Sequence, residues 1–412
     1  MRKMKDSGIE WIGEIPEDWK IQRAKFLFRQ RSEKGNKNPV LLSPTQKNGV
    51  VPQSELEGVV KLKEETDLQS LRTVHSGDYI ISLRSFQGGF ELSNLEGVCS
   101  PAYQVFFPIA DNISHQFFKY LFKSETFIEK INNLTTGIRE GKNILYADFA
   151  NILLPVPYLS EQVAIANFLD EKCAVIDRLV ERHQEVIEKL KAYRQSVISE
   201  AVTRGLDPDA PMKDSGIPWI GKIPEDWTIS NVKREFENLD EKRKPISAEN
   251  RTTSHSAYDY YGASGIIDQI DDYIFDETLI LIGEDGANLI LRNLPLIYIA
   301  KGKYWVNNHA HILRPRNMNN LYYMAYQLEC IDLTNYITGS TQPKLTQTNL
   351  SKIPVVCPPH HEQTRIAAHL DKKCVIIDDL LARKQSLIAK LTEYKKSLIY
   401  EYVTGKKEVP AS

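Results

Sequence analysis

Two segments of the chain place apolar residues at alternating steps of three and four over long distances. In the first, Leu169, Cys173, Ile176, Val180, Ile187, Leu190, Val197 and Ala201 form one stripe, interrupted by His183 and Arg194. In the second, Leu370, Cys374, Ile377, Leu381, Ile388, Leu391, Leu398 and Tyr402 take the equivalent places, with Lys384 and Lys395 as the polar interruptions. A seam recurring about every 3.5 residues predicts a coiled coil. Each helix of about 44 residues spans roughly 66 Å at about 1.5 Å per residue, too long to be hidden inside one small domain, so the two are expected to pack on each other. Pro155 and Pro157 precede the first helix, Pro354, Pro358 and Pro359 precede the second, and Gly205 with Pro208 and Pro211 ends the first, as helix punctuation requires.

The stretches between the helices change period. Strand-like runs cover 78–83, 103–107, 278–282 and 311–313, and short helices are predicted over 117–131 and 321–330, which makes these stretches α+β modules. Gly88-Gly89, the Gly283 to Gly286 turn, Gly302 and Gly339 put flexible turns between the strands, where recognition loops usually sit.

The chain is a tandem repeat. MKDSGIEWIGEIPEDWKI starts at Met4 and MKDSGIPWIGKIPEDWTI at Met212, differing only at Glu10/Pro218, Glu14/Lys222 and Lys20/Thr228. The helical segments starting at Glu161 and Glu362 are identical at about half their positions, whereas 22–157 and 230–356 resemble each other only faintly. Constant, variable, constant, twice over, is the organisation expected of one frame presenting two different surfaces.

Composition narrows the classes. The 412 residues carry 52 Lys+Arg against 54 Asp+Glu, a formal net charge of -2, with 42% hydrophobic and 26% charged residues. That excludes disorder throughout and argues against nucleic-acid binding by bulk electrostatics, while leaving room for basic clefts balanced by acidic outer faces. No apolar run reaches the roughly 18 to 20 residues of a membrane helix, and the basic start lacks a secretory core, so a cytoplasmic protein is expected. Five cysteines, none closer together than Cys357 and Cys374, read as reduced thiols, with Cys173 and Cys374 as small residues of the helix seam.

Catalytic signatures are sparse. There is no GxxxxGK[ST] loop for a nucleotide phosphate, and the only Pro-Pro is followed by histidines rather than forming the Asn- or Asp-Pro-Pro-aromatic motif that holds a target amine for methylation. Asp111, Glu140 and Lys142 could be assembled into a Mg²⁺-dependent nuclease site, but acid-x-lysine triplets arise freely in loops. His309 and His311, with His360 and His361, lack a cysteine or carboxylate at ligand spacing, and no metal site is expected. Trp11, Trp19, Trp219 and Trp227 are expected to anchor the opening segments rather than to stack on bases.

The repeated WIGEIPEDW and WIGKIPEDW, the LPVPYLSEQVAIANFLD and IPVVCPPHHEQTRIAAHLD runs entering the long helices, and KYWVNNHAHILRP with GSTQPKLTQTNLSKIPV in the second module resemble the specificity subunit of type I restriction-modification systems over the whole chain. The first module departs from the pattern, with GIREGKNILYADFANILLPV where the second has GSTQPKLTQTNLSKIPV. The resemblance implies an α+β fold with two globular target recognition domains, 1–158 and 207–358, separated by two long helices, 159–206 and 359–412, that form an antiparallel coiled coil with pseudo-twofold symmetry. Leu169, Ile176, Val180, Ile187, Leu190, Val197, Leu370, Ile377, Leu381, Ile388, Leu391 and Leu398 would form the spacer. Each domain would read one half of a bipartite double-stranded DNA target, and the helix pair would set the gap and dock two methylase subunits. The chain itself would be non-catalytic and hold no cofactor; S-adenosylmethionine, ATP and Mg would sit on the methylase and restriction subunits. A non-catalytic coiled-coil interaction scaffold is the alternative.

Base reading needs planar donors and acceptors on loops, arginine or lysine for guanine and asparagine or glutamine for adenine. The candidates are Arg84, Ser85, Gln87, Arg139, Lys142 and Asn143 in the first module, and Asn288, Arg292, Lys301, Lys303, Gln342, Lys344 and Gln347 in the second. Any one of them is as well suited to a phosphate contact or to solvent.

Overall fold

The computed structural model describes residues 2–35, 40–45, 48–56, 70–82, 89–134, 144–247, 249, 251, 257–292, 294–339 and 341–410. Contacts divide the chain into two units. One is built from residues 1–184 together with 386–412, the other from 185–385.

In the first unit the opening segment forms a hairpin, Met4–Asp6 against Glu14–Pro16, and the chain then enters strand Lys20–Arg23, which pairs with Leu153–Val156 just before the long helix. Between them lies a four-stranded antiparallel sheet in the order Phe28–Gln30, Gln104–Pro108, Tyr79–Ile81, Phe90–Leu92. Alternation along the strands decides which side each residue faces. Tyr79, Ile81 and Phe106 join an aromatic core with Phe117, Phe118, Phe122 and Phe127, while Ile80 and Val105 point the other way onto Leu42, Val50, Val74 and Cys99. Burial on both faces explains why these strands read as unbroken apolar runs. Phe28 sits at the centre of the aromatic cluster, with Phe118 edge-on at 5.2 Å. The helix expected over 117–131 is two helices, His115–Leu121 and Glu125–Leu134. Ser124 breaks it, because its hydroxyl donates to Leu121 O at 2.7 Å in place of helical continuation.

The second unit repeats this plan, with a nearly identical opening segment and a variable part that resembles the first only faintly. Hairpin Met212–Asp214 with Lys222–Pro224 is followed by Thr228–Asn231 paired to Pro354–Cys357. Its central sheet runs Phe236–Asn238, Ala310–Pro315, Leu279–Gly283, Ile297–Ala300, the same strand order as in the first unit. Ile280, Ile282 and Leu313 face the core shared with the helix Leu321–Cys330, and Leu279, Leu281 and Ile312 face a second layer. That layer includes another sheet, in the order Gly265–Ile270, Tyr258–Gly262, Lys303–Val306, Phe275–Asp276.

The long helices are Leu159–Arg204, of 46 residues, and His360–Val403, of 44. Within the first unit Ile165, Leu169, Cys173 and Ile176 pack with Leu398, Ile399, Tyr402 and Val403. Phe168 meets Tyr402 at 4.6 Å between ring centres and Asp177 meets Lys395 at 2.7 Å, so the helices run antiparallel there. Within the second unit Ile198, Ala201 and Val202 pack with Ile366, Ala367, Leu370 and Cys374, and Arg194 reaches Asp378 at 3.1 Å. Every apolar seam position named from the sequence is buried or half-buried. Two of the polar interruptions, Arg194 and Lys395, each find an aspartate on the facing helix. Both helices end at a glycine with positive φ, Gly205 at 78° and Gly405 at 71°, as left-handed helix stops require. No helix among the described residues is long and apolar enough to cross a membrane.

Candidate nucleic-acid interface

Each module is closed by the same side-chain device at the start of its long helix. Gln162, fully buried, accepts from Ser114 N at 2.7 Å and donates to Asn112 O and Pro157 O. Gln363, its repeat partner, accepts from Asn320 N at 2.8 Å and donates to Asn319 Oδ1 and Pro358 O. Trp19 and Trp227 are each 1% exposed and anchor the opening hairpins. Trp19 Nε1 donates to Glu161 at 3.0 Å, and Arg2 pairs with both Glu161 and Asp18. Trp11 packs edge-on against Phe127 at 5.7 Å. These indoles are structural, leaving the loops to do any reading.

In the first module Arg84, Ser85, Gln87, Arg139, Lys142 and Asn143 lie outside the described residues, as do Glu140 and Lys142 of the nuclease constellation. Among the described residues of this module, Arg31 makes a two-pronged pair with buried Asp78, at 2.6 and 2.7 Å, and stacks over Phe107. Glu91 is nearly buried on strand Phe90–Leu92 and pairs with Lys123 at 2.9 Å. Burial pushes its carboxyl up to about 7 against the pull of Lys123.

The second module's candidates are all described, and they divide by environment. Asn288 bonds within its own loop, to Leu294 and Pro295. Arg292, with φ of 50°, turns its guanidinium inward to Glu329 O and Ile331 O, the latter at 2.6 Å. Lys301 and Lys303 are exposed cations resting on tyrosine faces, 5.2 Å from the Tyr322 ring centre and 4.5 Å from that of Tyr273. Gln342 is exposed beside the turn at Gly339, and Gln347 is exposed at the first position of helix Gln347–Lys352. Lys344 is half exposed and pairs with Glu284 at 3.1 Å.

Beneath Lys344 lies a buried polar cluster that sequence spacing did not reveal. His311, on strand Ala310–Pro315 and fully buried, faces Asp240 Oδ2 at 2.6 Å through Nδ1 and Leu345 O at 2.7 Å through Nε2. Burial alone would raise the Asp240 carboxyl. The bond to His311, the His311 charge, the Ile312 N–H at 2.8 Å and nearby Arg243 outweigh it and hold the carboxyl below its usual range. Glu284 is likewise held low despite burial, by Arg243, His311 and Lys344. Asp240, Glu284 and His311 are the one group of metal-capable side chains found close together among the described residues. Their atoms are already engaged: both imidazole nitrogens by acceptors, both Glu284 oxygens by Arg243 and Lys344, and both Asp240 oxygens by Ile312, His311 and Asn238. A metal would have to break these pairs, each of which costs more to orphan than to keep. Carboxylates therefore do stand beside His311 in space, although none is near it in sequence. His309 pairs separately with Asp285 at 2.7 Å, and His360 and His361 are exposed on the long helix.

A family model described as type I restriction modification DNA specificity domain matches residues 9–190 and again 224–389. A Haemophilus influenzae relative, provisionally named a type I restriction enzyme specificity subunit, is 33% identical over 129 residues, covering 31% of this chain and 32% of its own length. The type I restriction enzyme MjaVIII specificity subunit of Methanocaldococcus jannaschii is 24% identical over 431 residues, covering 95% of this chain and 93% of its own. A solved chain from work on complex assembly and conformational transition of the type I R-M system aligns with TM-score 0.67 at 16% identity, over 95% of this chain and 99% of the other. That last likeness is one of fold.

Proposed function

The chain belongs to the type I restriction modification DNA specificity family, and from that premise we propose that it reads a bipartite double-stranded DNA target, one half with each module. One observation carries the reading. The two units share strand order in their central sheets while their loop sequences differ, which is how one frame is fitted to two different base sequences. In this reading the helix pair sets the unread gap and docks two methylase subunits, and restriction subunits join that assembly. The chain performs no chemistry; S-adenosylmethionine is held by the methylases, and ATP with Mg by the restriction subunits. Exposed Lys301 and Lys303 serve as phosphate contacts, because an ammonium on a tyrosine face keeps its charge available to DNA. Exposed Gln342 and Gln347 have the amide geometry for adenine.

The test is long-read sequencing of genomic DNA from a methylation-free host that expresses the chain with a methylase subunit of its own system. Methyladenine in a two-part motif with a fixed gap, lost when the chain is omitted, is expected. Methylation that is independent of the chain would overturn the reading.

A further inference from the structure

The segment that carries Gln342 is rooted in the core through fully buried Leu345 and, around it, in a set of polar bonds. Gly339, with φ of 86°, brings its own Cα so close to Gln342 O that an added Cβ would stand 2.5 Å from it, so the turn closes only on glycine. Below it, residues 344–345 pair with Ile337–Thr338, whose Thr338 hydroxyl donates to Lys344 O at 3.2 Å, and further bonds of residues 343–345 lead to the buried ion cluster and to the strand end beside it. Leu345 O accepts from His311, and Leu345 N donates to Glu284 O at 2.8 Å. Gly286 N donates to Pro343 O at 3.0 Å, and Lys344 ties its ammonium to Glu284. Arg243 in turn clamps Glu284 and caps Ala310 O at 3.1 Å, which fixes the cluster to the central sheet.

We propose that Lys344 and His311 are positioning residues for the second half-site, holding the 341–345 segment so that Gln342 meets a base edge. This rests on the DNA-reading function proposed above. It reassigns Lys344. A lysine neutralised by a nearly buried glutamate at 3.1 Å has little charge to offer a phosphate, so Lys344 acts as a strut and Gln342 as the reading group. His311 acts at one remove: its two ring nitrogens stand at 2.6 Å from Asp240 Oδ2 and 2.7 Å from Leu345 O, which links the sheet to the base of the turn. Long flexible side chains discriminate poorly unless something fixes their base, and a turn pinned by several bonds at its root supplies that.

The experiment is selection of a randomised duplex library by the full chain assembled with its methylase subunits, together with the slope of log affinity against log salt. Lys344→Met is expected to relax base preference in the second half-site about tenfold, leaving the first half-site and the salt slope unchanged. Lys344→Arg, which can still pair with Glu284, is expected to restore preference. Gln342→Ala is expected to lose discrimination at one base pair by about tenfold. His311→Ala removes a core side chain, so Lys344→Met, at the surface, decides the matter. If Lys344→Met leaves the motif intact and lowers the slope by about 0.9, Lys344 is a phosphate ligand and the proposal is overturned. An intact motif with an intact slope overturns it as well. A wild-type assembly that enriches no two-part motif would instead refute the DNA-reading function itself.

Discussion

Gly405 offers a measurement of how firmly the second long helix is seated on the first unit. It follows that helix with φ of 71°, and an alanine Cβ there would stand 2.5 Å from Pro16 Cγ and 3.0 Å from the ring of Trp19. Neither neighbour can retreat easily. Pro16 is locked in the opening hairpin, and Trp19 is 1% exposed with its indole N–H on Glu161. Gly405→Ala therefore carries two penalties: left-handed backbone, roughly 1–2 kcal/mol, and overpacking, roughly 1–3 kcal/mol. Gly8 is the control, because its φ is 65° in the same unit but nothing lies within 4 Å of an added Cβ. Gly8→Ala should lose only the backbone term, so the difference between the two variants, about 1–3 kcal/mol, reports the docking contact alone. Urea unfolding followed by tryptophan fluorescence measures both. Equal losses would refute the reasoning, since the helix end would then not be pressed against the hairpin.

Three further outcomes are expected. Glu91 has an ordinary value of 4.5 and a folded value near 7, so the native state keeps a proton that the unfolded chain has released. Its contribution is full below about pH 4.5 and is lost as pH rises to about 7, on the order of 3 kcal/mol, and Glu91→Gln should flatten that part of the stability-against-pH curve. Gln162→Ala strips the partners from Ser114 N, Asn112 O and Pro157 O and should cost about 2–4 kcal/mol in chemical denaturation, with Gln363→Ala costing a similar amount. Adding one heptad to each long helix lengthens it by about 10.5 Å, or about three base pairs, so methylation mapping should show a longer gap between unaltered half-sites.

The helices and the repeat were legible because both are local signals: a seam with a fixed step, and near-identical words such as WIGEIPEDW and WIGKIPEDW. The common strand order of the modules was not. It depends on pairings such as Phe106 with Gln30 and Leu313 with Asn238, separated by over seventy positions, between segments whose sequences differ. The His311 cluster was hidden for a related reason. His309 and His311 have no cysteine or carboxylate at ligand spacing in the sequence, which gave no reason to expect partners for His311, and those partners arrive from Asp240 and Glu284 through the fold. Arg292 shows the limit of reading residue types. Arginine on a loop looks like a base reader, yet here the left-handed backbone turns the guanidinium onto two internal carbonyls. Trp19 and Trp227 were readable as anchors because each sits in a repeated word directly before a strand.

The first unit is assembled from both ends of the polypeptide, with Lys406 Nζ donating to Ile12 O and Glu14 O. On the ribosome this reverses the usual order of maturation. The second unit is contiguous and has all its parts once residue 385 has emerged, whereas the first, after residue 184, must wait through the roughly 200 residues of the second unit, about 10–40 s at ordinary elongation rates, before its last segment, 386–412, is made. For that interval Leu169, Cys173 and Ile176 lack the strip formed by Leu398, Ile399, Tyr402 and Val403. A nascent chain stalled in this window presents an unfinished apolar helix to the cell, so translation speed and chaperone access would govern its yield as much as the stability of the finished fold.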